Sequence, residues 1–156
     1  MHRMKRLFLL SITGMVILLS LCAMALINDN PDALVGFWRT GDGKGVVQIY
    51  KQGNMYFGKI IWLAEPNDPA TGKPKTDVKN EDEKLRSRPI IGLVNLRDFV
   101  YKKKNHWDDG NIYDPKSGND YSCKIEMIDD NTLEVRGYVG VSLFGRTDTW
   151  KRQKVK

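Results

Sequence analysis

Gly36-Phe37-Trp38 and Thr149-Trp150-Lys151-Arg152 bracket the part of the chain that reads as folded. If Trp38 lies on the first strand of an antiparallel meander and Arg152 on the last, closing the sheet brings the two together. A guanidinium is planar and weakly hydrated, so it packs flat across an indole face while donating to nearby carbonyls. The pair predicts a closed barrel, plugged at one end by Trp38 with Arg152 across its ring. Both residues are assigned to closure rather than to binding.

The residues between them fit that reading. Val46–Lys51 and Met55–Leu63 are rich in β-branched and aromatic side chains and flank Gln52-Gly53-Asn54, which predicts a hairpin. Further strands are expected at Pro89–Val94 and on toward Phe99-Val100-Tyr101. One short strand is expected between an Asp108-Asp109-Gly110 turn and a turn at Asp114-Pro115. Alternating strands follow at Asp120–Met127 and Leu133–Gly140, then a final one at Thr147–Arg152. About eight strands, with no long 3.6-residue period, make the chain all-β. The simplest architecture is an up-and-down antiparallel β-barrel, with a sandwich as the alternative that the closing pair disfavours. A barrel of this size either fills with side chains or holds one small ligand. Tyr50, Phe57, Trp62, Tyr138 and Trp150 would fill it if they point inward.

Asp32–Val35 reads as a helical turn before Gly36, and Ala64–Arg88 breaks the strand rhythm. A loop of that length in a compact domain is usually functional or disordered. Its acids, Asp68, Asp77, Glu81, Asp82 and Glu83, interleave with lysines and lack calcium-loop spacing, which favours a solvated loop with local turns over a cation site. It could also fold over the barrel mouth as a lid tied by Arg86 or Arg88.

Residues 1–25 read as a secretory signal peptide: basic Met1–Arg6, uncharged apolar Leu7–Leu21, and Ala23-Met24-Ala25 as the cleavage site. The remainder, 26–156, is one domain, expected to be periplasmic or secreted. Two alternatives are a retained membrane anchor and a lipid anchor on Cys22, which the bulky Leu21 disfavours. The whole chain carries +6. Without Arg3, Lys5 and Arg6 the charge is about +3, which together with export excludes nucleic acid as a partner. Cys123 would then stand alone, without an intramolecular disulfide, as a small buried hydrophobe.

Gly36-Phe37-Trp38, Gly58–Leu63, Asp77-Val78-Lys79-Asn80, Leu85–Leu93, Trp107–Pro115, Gly118–Tyr121, Leu133–Tyr138 and Leu143–Thr147 occur in an order that resembles the DUF2147 family of exported bacterial domains. The resemblance covers about 36 to 152. It implies a lipocalin-like β-barrel and an exported location, and it implies no activity, cofactor or site residue.

The residues suggest binding rather than catalysis. There is no nucleophile elbow, zinc-protease helix, phosphate loop or Cys-x-x-Cys. No catalytic residue, metal ligand or cofactor is assigned, although a carboxylate pair brought together by the fold would be invisible in sequence. The expected ligand is a small apolar or amphipathic molecule. Its apolar part would lie against Trp62, Trp107 and Tyr113, with its polar head near Arg88 or Arg146. The alternative is a filled barrel that meets an envelope lipid or protein through the long loop and Lys102-Lys103-Lys104.

Overall fold

Each strand pairs antiparallel with the next, and the last pairs with the first, so the sheet closes on itself. The computed structural model describes residues 29–154; the leader reading of 1–25 and the Cys22 alternative lie outside the described residues. The strands are β1 (Gly36–Arg39), β2 (Gly45–Gln52), β3 (Met55–Leu63), β4 (Val94–Lys103), β5 (His106–Asp114), β6 (Asn119–Asp129), β7 (Thr132–Tyr138) and β8 (Gly145–Gln153). The connections at 40–44, 64–93, 115–118 and 139–144 therefore share one end of the barrel, and the short turns share the other.

The short-turn end is sealed by the one-turn 3-10 helix Pro31–Leu34, capped by the Asn30 side chain. Trp38 is fully buried and donates Nε1–H to the Leu34 carbonyl at 2.9 Å. The Arg152 guanidinium lies 4.1 Å from the Trp38 ring centroid. It donates to the carbonyls of Ala33 (2.8 Å), Val35 (3.1 Å) and Asp130, joining the plug to the turn between β6 and β7. Gly36 makes the approach possible. Its φ is +146°, and a Cβ there would stand 2.7 Å from Arg152 Nη1. Trp107, also fully buried, donates to the Pro31 carbonyl at 3.1 Å. It meets Tyr56 and Tyr101 edge-on, and their hydroxyls donate to Asp32 and Asp29. Phe99, Ile49, Ile125, Met127 and Leu133 fill the barrel behind this plug, and Cys123 is buried among the core residues, its thiol pushed far up by desolvation.

Three expectations are corrected. Pro89–Leu93 is not strand: Leu93 N–H bonds back to the Ile90 carbonyl at 3.1 Å, and β4 starts at Val94. Asp108-Asp109-Gly110 is not a turn. It lies inside β5 as an irregularity in the pairing with β6, and Asp109 takes φ 61° there. The barrel is also not filled by the five large residues. Ile49 and Gly58 take the inward positions, so by the two-residue alternation of strands Tyr50 and Phe57 stack on the outer wall with centroids 6.0 Å apart. Trp62 is 40% exposed, and Trp150 is the member of the group that is fully buried.

Gly36→Ala should cost about 2 kcal/mol, because it adds a Cβ at positive φ against the Arg152 guanidinium. In an Arg152→Ala background the same change should cost less, since part of the clash is gone. Urea unfolding of the single and double variants measures that coupling.

Candidate functional site

The end opposite the plug holds a cavity of about 810 Å³. Val47 and Ile60, from β2 and β3, line it together with Ile112 of β5 and Trp150 of β8. Ile90 and Val78 of the long loop complete the apolar lining. Lys44, Lys73, Lys75, Lys79 and Lys116 stand around it beside Asp42, Glu65, Asp68, Asp114 and Asp148, so its surround is mixed in charge. The Trp150 indole donates to Asp148 at 2.7 Å, which leaves its ring as apolar wall. Asp42 accepts from the Lys44 backbone at 2.9 Å, from Thr40 at 2.7 Å and from Lys116 at 3.1 Å, and these bonds hold its pKa down to about 2.

The loop at 64–93 is folded rather than loose. Asp68 bonds the backbone N–H groups of Ala70 and Thr71, and Asn67 bridges to Pro74, closing a small turn. The central feature is Asp77, which is fully buried. Its Oδ1 accepts from the Tyr113 hydroxyl at 2.6 Å. Its Oδ2 accepts from Asn80 Nδ2 at 2.8 Å, Arg88 Nε at 2.9 Å and Arg88 Nη2 at 2.8 Å. Burial pushes the carboxyl up, but the bonds from Tyr113, Asn80 and Arg88 outweigh it and hold the pKa below the ordinary value of 3.8. Burial and the neighbouring Asp77 push the Tyr113 phenol up. Arg88 thus braces the loop through Asp77, and Tyr113 ties it to β5. A second tie is Gly118, at φ +81°, where any Cβ would collide with the Lys79 carbonyl.

The structure brings Arg88 and Tyr113 together, with the guanidinium 5.5 Å from the phenol centroid. Of the pair, Tyr113 lines the cavity and Arg88 is spent on Asp77. The other sequence candidates lie elsewhere. Trp107 sits under the plug at the closed end. Trp62 is on the outside beneath Arg39, 4.7 Å from its ring centroid, and Arg146 is exposed at the start of β8. Most of the lining, Trp150 and Asn95 included, is not among the sequence candidates. Trp150 carries an aromatic signal, but the sequence places it equally among residues that would fill the barrel. Asn95 carries none, because its position depends on a bulge. Among the described residues no group of three or more His, Cys, Asp or Glu side chains is placed to hold a metal ion.

A family model described as "Uncharacterized protein conserved in bacteria (DUF2147)" matches residues 36–152. Among solved structures, the chain is similar to protein HP1028 of Helicobacter pylori, described as belonging to the lipocalin family. Identity is 25% and the TM-score 0.68, covering 78% of this chain and 83% of that one. No curated protein matches the chain.

Asp77→Asn should cost about 2 kcal/mol, because it leaves Arg88, itself partly screened by water, without its anion. The folded-state pKa of Asp77 is depressed, so its contribution is complete above the unfolded value and is lost as pH falls through the folded one. Urea midpoints should therefore fall more steeply below about pH 4 in the native protein than in Asp77→Asn.

Proposed function

We propose that this chain, which belongs to the DUF2147 family, is an exported, non-enzymatic carrier that sequesters a small apolar or amphipathic molecule in its lipocalin-like barrel. The observation that carries the reading is the one-ended cavity, apolar inside and polar around its surround. About 810 Å³ lies within the range of small-molecule sites, which are mostly apolar with a few placed polar groups. The driving force is apolar area removed from water, at about 25 cal/mol per Å2. The ligand's apolar part lies against Val47, Ile60, Ile112 and Trp150, not against Trp62 or Trp107. The loop braced by Asp77 and Arg88 limits entry. The lipocalin family named for the Helicobacter pylori protein supports the same reading by analogy of fold. The leader at residues 1–25 supports export.

Native mass spectrometry of the protein purified from its own envelope, followed by solvent extraction, is expected to release a stoichiometric small molecule. A clean unliganded mass, with no uptake of a lipid panel by tryptophan fluorescence, would overturn the carrier reading. Ile112→Trp should fill the cavity and weaken uptake at least tenfold, about 1.4 kcal/mol, without unfolding the barrel.

A second reading, a surface module that meets an envelope partner, is favoured by one feature. Val139, Val141, Leu143 and Phe144 are all exposed on the loop between β7 and β8, which Arg136 holds through the Ser142 and Leu143 carbonyls. Under that reading Leu143→Ser with Phe144→Ser abolishes co-sedimentation with envelope vesicles. Under the carrier reading it leaves ligand affinity unchanged.

A further inference from the structure

We infer that Asn95 is the polar anchor of the cavity and takes a neutral hydrogen-bond donor, a hydroxyl or an amide N–H, from the ligand. The inference rests on the carrier reading and deepens it. Asn95 is 6% exposed and lines the cavity, and its Oδ1 is buried with no hydrogen-bond partner. Buried polar atoms are almost always satisfied, so the exception calls for a partner, and a ligand in the cavity would supply one. The backbone is arranged to put it there. Lys59 pairs with Val94 and Gly58 with Leu96, which leaves Asn95 as the additional residue of a bulge. Bulges re-aim a side chain and are enriched beside functional sites.

The chemistry narrows because neighbouring polar side chains are already committed, and the lysines around the cavity stand among acids. The Tyr113 hydroxyl is committed to Asp77 and the Trp150 indole to Asp148. Arg88 is committed to Asp77 as well. The unpaired atom is the amide oxygen, which accepts and so rewards a donor, and the Nδ2 amide beside it can donate in return to the same neutral hydroxyl or amide. An ammonium would be held by Asp42, Asp114 or Asp148 rather than by a neutral carboxamide. What remains is an apolar molecule with a neutral donor: a long-chain alcohol, an amide or a hydroxylated ring system.

The test compares decan-1-ol with decyl methyl ether, which accepts a hydrogen bond but cannot donate one, and with decanoic acid. Affinities come from displacement of a fluorescent apolar probe. The native protein should hold the alcohol about tenfold tighter than the ether, the worth of one buried hydrogen bond. Asn95→Leu, close in size, should bring the two within about twofold and should not lower the melting temperature, since it removes an unpaired polar atom. Equal affinity for alcohol and ether in the native protein overturns the inference and leaves the carrier reading standing. Tighter binding of the acid overturns it in favour of an anion anchor. Binding of none of the three overturns both. If Asn95→Leu does not fold, the alcohol-to-ether ratio of the native protein decides alone.

Discussion

One guanidinium holds this barrel shut. Arg152 spreads across Trp38 and bonds three carbonyls drawn from two separate segments, so the first strand, the last strand and the entry helix share a single charged group. Desolvation pulls the Arg152 pKa down, yet the side chain keeps its charge because the carbonyls replace water. With that end sealed, Trp107, Tyr56 and Tyr101 can pack against the plug, and the space left over lies at the opposite end. The cavity is a consequence of the closure as much as of the residues that line it.

The open end is governed by a different kind of interaction. Asp77 is a fully buried carboxylate with four donor contacts from three side chains. Pairs of this kind add little net stability compared with apolar packing, but they specify geometry, because leaving any donor unmatched is expensive. Here the geometry specified is the placement of a long polar loop over a barrel rim that it would otherwise leave. Tyr113 has two roles in that arrangement, as cavity wall and as the post to which the loop is tied.

Much of this was legible in the sequence. Gly36, Trp38 and Arg152 point to closure because a Gly-x-Trp answered by a terminal Arg resembles the way lipocalin-like barrels close, and alternation places most strands within a residue or two. The interior was harder to read. A one-residue bulge in β3, β4 or β5 reverses which face a side chain takes, and bulges have no reliable local signature. That is why Trp107 reads as pocket wall although it lies under the plug, and why Asn95 does not stand out. Arg88 was legible as a tie for the loop. Its partner, Asp77, is one acid among several in the sequence, because burial is a property of the folded loop and not of the segment.

β1 begins and β8 ends at the sealed end of the barrel, side by side in register. Residues 29 and 154, the ends of the described chain, therefore lie toward the face opposite the entrance. An anchor, a fusion partner or a sensor surface attached at either terminus would leave the entrance pointing away from its support, like a cup fixed by its base.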